Sequence, residues 1–144
     1  MTPSVLFQKQ TKFGGADSPK EEIGNCFSTC IASLFGLPTT EVPNFCDTKR
    51  WRERVDKWLE ERGFVIVTYN EDPFKSAPEL HSSVPMIASG MGPRGHRHSV
   101  LWQKGKLLWD PHPSGEGLIG YPEELEIIVF SPKSKHKSSP KQDV

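Results

Sequence analysis

Two helix-like hydrophobic stripes lie before residue 63 of this 144-residue chain, and five strand-like runs lie after it. That order limits the fold to an α+β class, with N-terminal helices packed against an antiparallel sheet. From Cys26 the apolar residues Phe27, Cys30, Ile31, Leu34 and Phe35 fall at i, i+3, i+4, i+7 and i+8, and Gly36 and Pro38 end the stripe. The second stripe, Trp51, Val55, Trp58 and Leu59, predicts a helix from Thr48 as N-cap to Gly63 as stop. The runs 64–69, 84–89, 98–103, 106–110 and 126–130 are β-branched or aromatic and read as strands. Lys104-Gly105 is a two-residue hairpin turn between the third and fourth. Gly90 to Gly95 holds three glycines and a proline, which predicts a mobile loop leading into His96-Arg97-His98.

The length suits one domain, residues 1–131, with a single core. Residues 132–144 carry no core-forming pattern and read as a disordered basic tail. The formal charge is zero, but the last fourteen residues hold four lysines and one Asp, which leaves 14 basic and 17 acidic residues before them. A mildly acidic body argues against nucleic acid as a partner, since that needs a clustered basic face. No apolar run approaches a membrane span, so no membrane partner is expected. Three cysteines form no regular disulfide spacing, and the N-terminus has no charged segment followed by an apolar one. The expected compartment is therefore reducing and cytoplasmic, where a thiol stays free. Nothing in the pattern asks for a cofactor.

Cys26 starts its helix. Unpaired backbone N–H groups and the positive end of the macrodipole favour an anion there, which suits a nucleophilic thiolate. Gly24 permits a tight entry and Asn25 is the expected N-cap. Cys30 lies on the apolar stripe and belongs to the core, and Cys46 has no periodic context. Counting outward from the Lys104-Gly105 turn sets His98 opposite Pro111 and beside Asp110, within one residue of register. A carboxylate there can take the imidazole N–H, fix its tautomer and stabilise the imidazolium that balances a thiolate. His96 lies two residues away and competes for the same role; His98 is preferred because it adjoins the apolar run. His112, between two prolines, shapes a loop near the site, and Arg94 and Arg97 would bring positive charge to a groove that favours an acidic substrate.

Gly24-Asn25-Cys26-Phe27, Arg97-His98-Ser99-Val100 and Trp109-Asp110-Pro111-His112-Pro113-Ser114 resemble the papain-like cysteine hydrolase superfamily. They are most similar to small C39-like and NlpC/P60-like Cys-His-Asp proteins of bacteria and phages. The resemblance covers about residues 8 to 130 on short motifs. It implies a papain-like fold and a catalytic set of Cys26, His98 and Asp110. It also implies an oxyanion donor at Gln10, with Gln8 in reserve, and hydrolysis of an amide or related acyl bond through a thioester. Substrate contacts then fall to Asn25, Arg97 and His112, and the expected partner is a peptide, isopeptide or acyl-amide. Three alternatives stand beside it. One is a zinc site from Cys26, Cys30 and Cys46 with His96 or His98; another is a non-catalytic binding domain, and the third an acyl transferase.

Overall fold

The computed structural model describes residues 5–70 and 83–132. The basic tail expected from residue 132 lies, apart from Pro132, outside the described residues. Two α-helices, α1 (Cys26–Phe35) and α2 (Trp51–Glu61), precede five strands: β1 (Phe64–Tyr69), β2 (Met86–Met91), β3 (Arg97–Gln103), β4 (Lys106–Trp109) and β5 (Glu124–Phe130). All pairings are antiparallel and the sheet order is β1-β5-β2-β3-β4. The class is α+β, as the order of the hydrophobic patterns requires.

α1 packs on β2 and β3, and α2 packs on β1. The side chains of Phe27, Ile31, Val55 and Leu59 meet Phe45, Ile87 and Leu101 in the main core. On the other sheet face Met86, Ala88, Val100, Trp102 and Leu125 form a second cluster under Leu118 and Tyr121 of the loop before β5. Side chains alternate across a strand, so Ile87 and Leu101 serve one cluster while their neighbours serve the other. Covering both faces explains why β2 and β3 are buried almost without interruption.

Four local expectations change. α2 begins at Trp51, not Thr48, because the Thr48 hydroxyl takes Arg54 Nη1 at 3.4 Å and leaves the helix end uncapped. Asn25 stands at the N-cap position of α1 but makes no side-chain cap. β2 runs on through Gly90 and Met91, which pair with His98 and Arg97, so the glycine-rich segment is a short hairpin and not a long loose loop. Its turn is closed by Gly92 N–H to His96 O at 2.9 Å and Gly95 N–H to Gly92 O at 3.3 Å.

The fourth change decides the geometry of the site. The β3–β4 turn forms as expected, with Lys104 at φ 54° and Gly105 at φ 79°, the left-handed pair that a two-residue hairpin needs. Gln103 then pairs with Lys106 and Trp102 with Leu107, but Leu101 pairs with Trp109, and Leu108 is an extra, unpaired residue. Without this bulge Asp110 would fall in line with Ser99, on the face away from His98. With it, Asp110 aligns with Val100 and shares the face of His98, two residues along.

Candidate active site

α1 places Cys26, half-buried, at a helix start that opens into a cavity of about 520 Å³. Gln10, His98, His112 and Cys46 share that cavity wall. His98 and Asp110 are each only 3% exposed, and His98 Nε2 lies 2.7 Å from Asp110 Oδ1. Cys26 borders the same cavity as the ring and, after Asp110, helps to raise its titration. The structure thus brings Cys26, His98 and Asp110 together. His96 borders the same cavity, but among the described residues it makes no bond to Asp110; its Nδ1 lies beside the Arg97 carbonyl oxygen.

Asp110 is held by three donors. Besides the imidazole, Oδ1 takes the His112 backbone N–H at 2.9 Å and Oδ2 takes that of Gly117 at 2.7 Å. Burial alone would raise the Asp110 carboxyl, but the His98 contact and the two amides outweigh it and hold it at about 2. Burial likewise works to lower His98, and Asp110 and Cys26 outweigh it to raise the imidazole to about 9. At neutral pH His98 is an imidazolium paired with a carboxylate. The other two thiols differ from Cys26 in setting. Burial pushes Cys30 well up, and burial pushes Cys46 to about 12, so both stay protonated.

Gln10 is 6% exposed and borders the cavity. Its Nε2 gives one hydrogen to the Lys12 carbonyl at 2.8 Å; among the described residues the second hydrogen and the buried Oε1 take no protein partner. Gln8 instead donates to the Leu37 carbonyl at 2.7 Å, away from the cavity. Asn25, expected to touch substrate, is turned the other way. Its Oδ1 accepts the N–H groups of Thr11 and Lys12 at 3.0 and 2.9 Å and its Nδ2 donates to Thr11 Oγ1. That side chain clamps the segment behind Gln10 to the start of α1, a positioning role. His112 does line the cavity, with its ring 6.2 Å from that of His98. Its Nδ1 accepts the Ser114 N–H at 3.0 Å, so the ring proton sits on Nε2, and burial followed by the Arg94 charge lowers its titration. It is a neutral donor.

No family model, curated protein or solved structure matches the chain. The chemistry must therefore be read from the residues themselves. Among the described residues no group of three or more His, Cys, Asp or Glu is placed to hold a metal ion, and Cys30 lies on the core-facing side of α1. The zinc alternative lacks its ligand cluster.

Arg97 lines the cavity but pairs with Glu123 and Glu124, and Arg94 lies 3.8 Å from Glu116, so neither is a bare cation facing the groove. Several residues of the wall have no counterpart among the sequence-based expectations. Phe13, Ile23 and Trp51 give it apolar surface, while Ser89, Ser99 and Glu126 give it buried oxygens. Glu126 carries a usable signal: a carboxylate two positions before Ile128, on the core-facing side of a β-branched strand, needs a special partner. Nothing in the sequence marks Gly117, whose backbone N–H fixes Asp110.

Proposed function

We propose that this protein is a cysteine hydrolase that cleaves an amide or related acyl bond through a thioester, in the manner of the papain-like enzymes it resembles. One observation carries the reading: a single buried ring, His98, is hydrogen-bonded to the carboxylate of Asp110 and shares one cavity wall with the thiol of a cysteine that starts a helix. Cys26 Sγ attacks the carbonyl carbon. The resulting oxyanion is met by the Cys26 backbone N–H and the remaining Nε2 hydrogen of Gln10. His98 gives its proton to the leaving nitrogen as the C–N bond breaks, and a thioester remains on Sγ. Water then attacks the thioester while His98 takes its proton. The C–S bond breaks, a carboxylic acid leaves, and the imidazolium–thiolate pair is restored. Asp110 holds the ring in register and stabilises its positive form throughout.

Three free cysteines accord with a reducing, cytoplasmic setting that keeps Cys26 as a thiol. No helix among the described residues is long and apolar enough to cross a membrane. The test is intact mass spectrometry after reaction with electrophilic peptide, ubiquitin-like and acyl-amide probes. The expected result is one adduct, mapped to Cys26 and lost in Cys26→Ala and His98→Ala. Adducts spread over Cys30 or Cys46, or an undiminished adduct in His98→Ala, would reject the assignment.

A further inference from the structure

The cavity that holds Cys26 has a second chemical end, on β5. Glu126 is 2% exposed and lines the cavity. Its Oε2 takes both of its hydrogen bonds, from Arg52 Nη1 at 3.1 Å and Thr68 Oγ1 at 3.0 Å; among the described residues Oε1 takes none. Oε1 therefore keeps its acceptor capacity on a side chain that borders the cavity, where a ligand N–H can use it. Beside it, Ser89 and Ser99 point hydroxyls from β2 and β3 that bond each other at 2.8 Å, and both residues line the same cavity. Once that mutual bond is made, the pair still has acceptor capacity to spare. This floor is rich in acceptors, in a cavity whose wall also carries the apolar Phe27, Ile23 and Trp51.

Among the contacts of the described residues, none of the wall's cations, Lys49, Arg94 and Arg97, is a free partner for Glu126, and the arginines on this side are shared among carboxylates. Arg52 is shared between Glu126 and Asp56, and Arg97 between Glu123 and Glu124, so four carboxylates share two guanidinium groups. Burial raises the Glu126 carboxyl, the direction expected of an acid short of donors. The expectation from sequence is the opposite, that Arg94 and Arg97 would make the groove favour an acidic substrate, but both are paired with carboxylates.

The geometry points to a specificity subsite formed by Glu126, Ser89 and Ser99 that takes a cationic, N–H-donating group, an ammonium or a guanidinium, on the acyl side of the substrate. The inference rests on the hydrolase reading of Cys26 and names the substrate class for it. An apolar stem would lie along Trp51 and Ile23 while its charged head meets Glu126 Oε1.

The experiment uses the full chain and a series of peptidyl vinyl sulfones that differ only in one side chain: lysine, arginine, norleucine or glutamate. Adduct formation at Cys26 is followed by intact mass spectrometry, and each rate is divided by the iodoacetamide rate of the same protein. The wild-type protein should react with the lysine or arginine probe at least about tenfold faster than with norleucine, and slowest with glutamate. Comparing lysine with arginine tells an ammonium from a guanidinium. Glu126→Gln should bring the cation-to-norleucine ratio to within about twofold of unity. Equal wild-type rates for lysine and norleucine would overturn the subsite while leaving the hydrolase reading intact, and this arm needs no variant to fold. A ratio unchanged in a folded Glu126→Gln would overturn it too. If iodoacetamide alkylates Cys26 but no vinyl sulfone does, the hydrolase reading fails, and the subsite fails with it.

Discussion

At the residue scale the three cysteines are the sharpest contrast in the molecule. Cys26 faces a cavity at a helix start, Cys30 is 1% exposed in the core, and burial keeps the Cys46 thiol protonated to about pH 12. Iodoacetamide at neutral pH should therefore modify Cys26 first, as peptide mapping would show. Cys26→Ala should abolish turnover and leave the fold nearly as stable, whereas Cys30→Ser puts a hydroxyl in the core and should cost about 1–3 kcal/mol in denaturant titration. His98 makes the matching prediction for pH. An imidazolium held to about 9 gives the rate profile an alkaline limb near that value, a property of the coupled thiol and imidazole. Asp110→Asn removes the first of the two groups that raise His98, so that limb should move to lower pH as the rate falls. A limb that stays in place would show that the carboxylate does not set the ring's charge.

At the element scale, two β-sheet details build the site, and only one is legible in the sequence. Lys104-Gly105 is a strong hairpin signal, and the turn forms where that dipeptide requires it. The bulge at Leu108 leaves no comparable signal, because Lys106-Leu107-Leu108-Trp109 pairs plausibly in either register and only packing against the core selects one. Yet the bulge is what turns Asp110 to the face of His98. The glycine-rich segment departs from expectation for a related reason: composition reports freedom, not the use made of it. Gly92 is needed for space, since a Cβ there would stand 2.9 Å from His98 Cβ and 3.2 Å from the His96 carbonyl oxygen. Gly95 differs, with φ at 91° and nothing within 4 Å of where a methyl group would stand. Gly92→Ala should thus displace His98 and lower turnover by roughly tenfold to a hundredfold. Gly95→Ala should instead strain the turn by about 1–2 kcal/mol and leave the ring in place. Equal losses of turnover in the two variants would argue that loop flexibility, not room beside His98, is what the glycines supply.

At the scale of the whole molecule, the site joins parts that are distant in the chain: the start of α1, the open end of the β3–β4 hairpin, and a loop whose Gly117 N–H reaches Asp110. Helix and strand order can be read from hydrophobic period, but this meeting depends on tertiary packing that no local pattern encodes. It also links folding to pH. Asp110 is lowered from 3.8 to about 2, so its stabilisation is complete above its ordinary value and is lost as pH falls toward 2. His98 is raised from 6.5 to about 9, so its stabilisation is complete below 6.5 and is lost as pH rises through 9. Glu126 works against Asp110: burial raises its carboxyl above 4.5, and that group's contribution declines as pH rises through its titration. The alkaline side is the cleaner test for His98, because Asp110, held at about 2, has finished titrating there. Denaturant midpoints measured from about pH 5 to about pH 10 should decline between 6.5 and 9 in the wild-type protein. Asp110→Asn should be less stable and show a smaller decline at lower pH. Cys26→Ala should also shift the decline downward, because it removes the second group that raises the imidazole. A wild-type midpoint flat across that range, or an Asp110→Asn curve parallel to it, would show that His98 is not held in its charged form by this pair.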